Sequence, residues 1–230
     1  MIAENLKEVR LRVEAAARRA GRDPQDVKLI AVSKTKPVSM IEECIAEGQY
    51  VFGENKVQEL VEKIPQLPES LEWHLIGHLQ KNKVKYIVDQ VALIHSVDTV
   101  ALAEQIQKEA AKKHCDVDIL LEVNVAKEES KSGFDAEEVY DACCQIAAFP
   151  NVHIRGLMTV APFVEDPEEN RIIFRKLKHL LVDIQAKKVD NVCMTELSMG
   201  MTNDYEVAIE EGATMVRVGT ALFGARVYAL

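Results

Sequence analysis

Lys34 closes the apolar, β-branched run Leu29-Ile30-Ala31-Val32-Ser33, and Pro37 stops the extended chain three residues later. A run of this kind reads as a short buried strand. Lys34 then stands where the strand leaves its sheet. Burial is costly for a lysine, and desolvation favours the neutral, nucleophilic amine. Such an amine forms a Schiff base with an aldehyde or ketone. Taken alone, the stretch reads more simply as a solvated lysine just outside a sheet.

A second charged residue, Arg217, interrupts the apolar run Thr214-Met215-Val216-Arg217-Val218. Alternation puts Arg217 and Gly219 on one face of that strand. A buried guanidinium keeps its proton and must find an acceptor or an anion. Glu122 is a candidate internal partner, and a bound ligand is the alternative. Two loops nearby combine a hydroxyl, a glycine and a helix start: Ser198-Met199-Gly200-Met201-Thr202-Asn203 and Gly219-Thr220-Ala221. Glycine lets backbone amides approach closely, and a helix start favours an anion such as phosphate. Each loop alone is also an ordinary strand-to-helix turn. An imine-forming amine, a phosphate cradle and a cation between them together point to pyridoxal 5′-phosphate (PLP).

The elements that must position these groups alternate along the chain. An amphipathic helix over residues 5–20 ends at Gly21 and precedes the strand that ends at Lys34. Ser39 with Glu42 predicts a capping box for the next helix, which closes at Gly48. The pattern then predicts strands at Gln49–Phe52, Trp73–Ile76, Val91–Ser96, Val117–Val125, His153–Ala161, Val192–Ser198 and Thr214–Val218. Between them a helix starts near Lys56, a short one follows Lys83, Asp98 caps the next, Asp135 with Glu138 caps another, and further helices start at Asp166 and about Asn203; Ala221 opens a last short one. Roughly eight strand–helix units with short connections imply an α/β fold with a parallel sheet, closed as a TIM (β/α)8 barrel with an extra N-terminal helix. The first strand–helix turn has no Gly-x-Gly-x-x-Gly, which argues against a doubly wound nucleotide fold. In such a barrel, function lies at the C-terminal ends of the strands, where all these groups fall. The expected organisation is a single domain over residues 1–230.

Composition narrows the partners. A net charge of −9 argues against nucleic acid, which needs a concentrated basic face. No run approaches the ~18 apolar residues of a membrane span, and the N-terminus has no signal-peptide pattern. Five cysteines without Cys-x-x-Cys spacing suit reduced thiols in the cytoplasm. His74 and His78 have metal-like spacing but lie in a strand running into a turn, so no metal is expected.

Seven blocks carry a resemblance. They are Ala31-Val32-Ser33-Lys34-Thr35-Lys36-Pro37, Phe52-Gly53-Glu54-Asn55, the stretch Trp73 to Lys83, Lys131-Ser132-Gly133-Phe134, Gly156-Leu157-Met158-Thr159, Leu197-Ser198-Met199-Gly200-Met201, and Val216 to Gly224. In this order they resemble the pyridoxal phosphate homeostasis proteins, relatives of the alanine racemase N-terminal barrel, over nearly the whole chain. The resemblance implies a Schiff base to PLP at Lys34, phosphate contacts from Ser198, Gly219 and Thr220, and Arg217 at the pyridine nitrogen. It places Asn55 near the ring, although Asn55 with Gln58 also reads as a helix cap. Lys131 is a further rim lysine, readable as a second contact or as a solvated loop residue. The implied role is buffering PLP and supplying it to PLP-dependent apoenzymes, without turnover.

Arginine at the pyridine nitrogen gives up no proton, which makes the cofactor a weaker electron sink and leaves racemisation as the rival chemistry. A two-base racemase needs a second acid/base group, which alanine racemase takes from an additional C-terminal β domain. That domain is not expected here, and with it goes the expectation of a dimer, so a monomer is expected. A sugar-phosphate aldolase or isomerase using Lys34 is the third reading, and it leaves Arg217 without a task.

Overall fold

Short strands rich in Val, Ile and Leu lie side by side, all parallel, and close on themselves in the order β1 to β8. The computed structural model describes residues 1–128 and 132–224. The elements are α1 (Ile2–Arg19), β1 (Lys28–Val32), α2 (Val38–Ala46), β2 (Val51–Glu54), α3 (Val57–Lys63), β3 (Glu72–Leu75), β4 (Leu93–Val97) and α4 (Val100–Lys113). They continue with β5 (Val117–Glu122), α5 (Val139–Ile146), β6 (Val152–Met158), α6 (Arg171–Ala186), β7 (Val192–Met201), α7 (Tyr205–Glu210), β8 (Met215–Val218) and α8 (Thr220–Phe223). A 3-10 segment, Lys81–Tyr86, replaces the helix after β3. β8 returns to β1, with Lys28 opposite Met215 and Ala31 opposite Val218. This is the expected (β/α)8 barrel with its N-terminal helix.

Helix α1 fastens the seam where the first and last units meet. Its buried stripe (Leu6, Val9, Val13, Ala16, Ala17) follows the 3.6-residue period of an amphipathic helix. It packs on α2, α7 and α8. Arg12 and Arg19 pair with Glu206, Arg19 also with Glu210, and the Asn5 amide donates to the Leu222 carbonyl.

Two apolar layers result. The larger lies between strands and helices and includes Phe52, Trp73, Phe174 and Leu177. The smaller fills the barrel interior with Ile30, Leu93, Leu120, Met158 and Met215. A filled interior is what barrels of this size require, so the fold holds a core and not a pore. The remaining interior space is polar, occupied by His74, His95, Ser198 and Arg217, all buried.

Several expected boundaries are corrected. Ser39 and Glu42 form no capping box, because α2 starts at Val38 after Pro37. The cap of α4 is Thr99, whose hydroxyl accepts from the Leu102 amide, and not Asp98. Asp135 does not cap α5, which is preceded by Glu138 without a side-chain cap. β2 starts at Val51 because the Gln49 side chain plugs the sheet end, donating to the carbonyls of Leu29 and Val51. β7 runs on to Met201, three residues beyond the expected end at Ser198.

Candidate functional site

The C-terminal strand ends surround a cavity of about 600 Å³. Lys34 reaches it from the loop after β1, Asn55 from the end of β2, Ile76 from the end of β3, and Val160, Pro162 and Phe163 from the loop after β6. Met201, Thr202, Asn203 and Asp204 enter from the end of β7, and Arg217, Gly219 and Thr220 from β8 and its exit.

Lys34 sits on a tight turn in which the Lys36 amide donates to the Ser33 carbonyl. Thr35 has φ +62°, a left-handed conformation that a β-branched residue adopts only under constraint. Such a residue costs of order 1–3 kcal/mol and persists when its surroundings over-determine it. Here they do. The Ser33 hydroxyl donates to Glu54 Oε1 (2.7 Å), the Thr35 amide to Glu59 Oε2 (2.7 Å), and Lys63 Nζ to the Ser33 carbonyl (2.9 Å). Lys63 also meets Glu54 Oε1 at 2.6 Å and Glu59 Oε2 at 3.1 Å. A buried ion pair thus clamps the backbone on both sides of Lys34. Burial pushes the Glu54 carboxyl up, with Lys63 and Ser33 opposing. Burial also works against ionised Glu59, but the Thr35 amide and Lys63 hold it below the usual range.

Arg217 is 4% exposed. Its Nη1 donates to Ser198 Oγ (2.5 Å) and its Nη2 to the Thr159 carbonyl (2.8 Å). Burial lowers its pKa to about 10, with Glu122 and Asp204 opposing, so it stays charged at neutral pH. The anticipated ion pair with Glu122 is not formed. Among the described residues no carboxylate pairs with this guanidinium, and both its partners are neutral acceptors. Buried charges ordinarily find a counter-charge or a full set of acceptors, so the remaining N–H donors of Arg217 suit a ligand acceptor.

The rest of the wall is built for close approach. Asn55 Oδ1 is buried without a hydrogen-bond partner among the described residues, and the N-cap of α3 is Lys56, so Asn55 is not the helix cap. An orphaned buried acceptor of this kind calls for a ligand or water. Gly77 lies against the Asn55 backbone, where a Cβ would stand 2.4 Å from its carbonyl oxygen. The Gly219 amide donates to Thr202 Oγ1 (3.3 Å) and joins the last two loops. Asp204 braces the loop after β7: Oδ1 accepts from the Met201 amide and Oδ2 from Asn170.

Of the residues singled out in the sequence, Lys34, Asn55, Arg217, Gly219 and Thr220 therefore share one cavity. Ser198 does not line it. Because β7 continues to Met201, Ser198 lies inside the barrel under Arg217, fully buried and bonded to His95 and Arg217. Thr202 is the hydroxyl from that loop that reaches the cavity. Lys131 lies outside the described residues. His74 and His78 part company: His74 is buried against Glu72 and His95, whereas His78 is exposed beside Asp98. Among the described residues no cluster suits a metal. Sequence reasoning missed Glu54, Glu59, Lys63 and His95. His95, a polar residue inside the apolar run Leu93–Val97, carried the same signal that exposed Arg217.

Comparison with known proteins follows the same lines. The family model for the alanine racemase N-terminal domain matches residues 5–227. The pyridoxal phosphate homeostasis protein of Aquifex aeolicus (strain VF5) is 48% identical over 226 residues, covering 98% of each chain. A crystal structure of an unknown protein from Bifidobacterium adolescentis superposes with a TM-score of 0.91 at 36% identity, covering 96% of this chain and 94% of that one. PipY of Synechococcus elongatus PCC7942, solved with PLP bound, superposes with a TM-score of 0.84 at 37% identity, covering 97% of this chain and 100% of that one.

Proposed function

The chain belongs to the pyridoxal phosphate homeostasis proteins, within the alanine racemase N-terminal domain family, and from that membership we propose that its cavity binds PLP as a Schiff base on Lys34. Lys34 would hold the cofactor through its amine, which condenses reversibly with an aldehyde with loss of one water. Arg217 donates to the pyridine nitrogen, Gly219, Thr220 and Thr202 hold the phosphate, and Asn55 borders the ring. Ser198 acts through Arg217. The observation that carries this reading is the convergence on one cavity of Lys34, the Arg217 guanidinium, which meets no carboxylate among the described residues, and Asn55 Oδ1, which has no hydrogen-bond partner among them. When bound, PLP supplies an electron-withdrawing ring, and Arg217 keeps that ring a weak electron sink because it yields no proton.

The role proposed is buffering PLP and supplying it to PLP-dependent apoenzymes, by a single-domain monomer in the cytoplasm. Described residues hold no helix long and apolar enough to cross a membrane, and Cys44, Cys115, Cys143, Cys144 and Cys193 are all free thiols. Holding without turnover is supported by the side chains at hand. Asp204, the carboxylate among the described lining residues, has both oxygens engaged by Met201 and Asn170, which leaves it poorly placed as a second base. The test is PLP titration followed by absorbance, with the Lys34→Ala variant alongside and L- and D-alanine turnover measured on the loaded protein. A visible-edge band in the wild type, its loss in a folded Lys34→Ala and no turnover are expected. Racemisation at enzyme-like rates would overturn the carrier role.

A further inference from the structure

A continuous polar chain crosses the barrel interior from one mouth to the other. It starts at Glu72, the first residue of β3, where Lys28 and His74 both reach Oε1. His74 Nε2 lies 2.8 Å from that oxygen, and His74 Nδ1 lies 2.7 Å from His95 Nε2. His95 Nδ1 lies 2.8 Å from Ser198 Oγ, which accepts from Arg217. Arg217 then lines the cavity. No contact in the chain is optional: His74, His95 and Ser198 are at most 1% exposed, so each polar atom must be satisfied from within.

The chemistry at the two ends leaves one arrangement of hydrogens. A carboxylate accepts only, so His74 Nε2 carries its proton toward Glu72. A neutral His74 then presents an accepting Nδ1, which requires His95 Nε2 to carry the proton. A neutral His95 presents an accepting Nδ1 in turn, which requires the Ser198 O–H to point at it. Ser198 Oγ is left to accept from Arg217, which only donates. Both imidazoles are held neutral by their surroundings. Burial lowers His74, with Glu72 opposing, and Lys28 and Glu196 are the other charges that reach it. Burial lowers His95 further, and His74, Arg217 and Lys28 add to the effect. Glu72 is held down at about 2, by His74 first and Lys28 next, and so remains the accepting end.

We propose that Ser198, His95 and His74 form a one-way hydrogen-bond relay that orients Arg217 toward the cavity, with both imidazoles in the neutral Nε2–H form and Glu72 as the terminal acceptor. His95 and His74 are positioning residues, since neither lines the cavity. The relay explains why a serine so deep in the barrel accompanies Arg217: its hydroxyl accepts from the donor-only guanidinium and donates in turn to His95 Nδ1. The tautomers stand independently of any ligand; the consequence for affinity rests on the PLP reading above.

Nitrogen-15 NMR of the full chain, labelled at histidine and free of PLP, reads the tautomers at pH 7. Two buried imidazoles with protonated Nε2 and unprotonated Nδ1 are expected. A protonated Nδ1 on either ring, or a charged ring, would overturn the relay. PLP affinity is then compared among wild type, His95→Leu and His95→Gln. Losing the relay misplaces one charge-assisted hydrogen bond, so about a tenfold loss of affinity is expected for Leu, largely restored by Gln, which keeps one donor and one acceptor. A folded His95→Leu protein that binds PLP as tightly as wild type would refute the positioning role. If His95→Leu fails to fold, the NMR result decides. A wild type that binds no PLP while showing the expected tautomers would refute the cofactor reading and leave the relay standing.

Discussion

Replacing Lys63 by methionine keeps most of the side chain's apolar length and removes its charge and donors. In the wild type Nζ donates to Glu54 Oε1, the Ser33 carbonyl and Glu59 Oε2, and the side chains of Lys63 and Glu54 are 9% and 0% exposed. After the change Glu54 retains only the Ser33 hydroxyl, and its Oε2 already lacks a partner among the described residues. Removing one partner of a buried pair costs about 3–5 kcal/mol. Glu54 limits the loss by taking up a proton, because burial already pushes it up. Its folded pKa in the variant then lies above the unfolded value. That contribution is present at low pH and fades as pH rises, so the deficit against wild type narrows toward pH 5. The double variant Lys63→Met/Glu54→Leu removes both charges and should recover part of the loss. Urea unfolding at pH 7 and pH 5, with unchanged m-values, measures all of this. A Lys63→Met loss below about 1 kcal/mol, or a double variant no better than the sum of the singles, would refute the clamp around Lys34.

Acid should destabilise the fold through His74 and His95. Their folded pKa values are depressed by burial, so the unfolded chain takes up protons near pH 6.5 that the native state refuses. Stability is full above about pH 6.5 and falls below it by up to ~1.4 kcal/mol per pH unit for each ring. Urea midpoints at pH 7.5, 6.5 and 5.5 test this, and a flat profile would contradict neutral buried imidazoles. Gly77→Ala would press a Cβ to 2.4 Å from the Asn55 carbonyl oxygen and 2.7 Å from its Cα. A loss of about 1–3 kcal/mol is expected from such overpacking, together with weaker PLP binding because Asn55 must shift. Unchanged affinity would show that Asn55 does not border the ligand.

The barrel was legible because each apolar run is bounded by turn residues, and because the alternation of strand and helix admits few topologies. Lys34 and Arg217 stood out as charges ending or interrupting such runs. What misled was depth. Ser198 reads as a strand-end hydroxyl, yet β7 continues to Met201 and carries Ser198 into the interior. Lys63 and Glu54 look like surface residues of a charged helix and loop, since nothing local distinguishes a buried ion pair from two solvated charges. Thr99 and Asp98 are adjacent, and either side chain could cap α4; the backbone direction entering the helix selects Thr99. The Gln49 plug depends on the carbonyl of Leu29, twenty residues away, which no local pattern contains.

The central claim is the bond between Lys34 and the cofactor. Incubating the protein with PLP, reducing with borohydride and mapping the peptides reads that bond directly. A pyridoxyl group on the peptide carrying Lys34, absent without PLP, is the expected result. A reduced adduct only on other lysines, or none at all, would contradict the account.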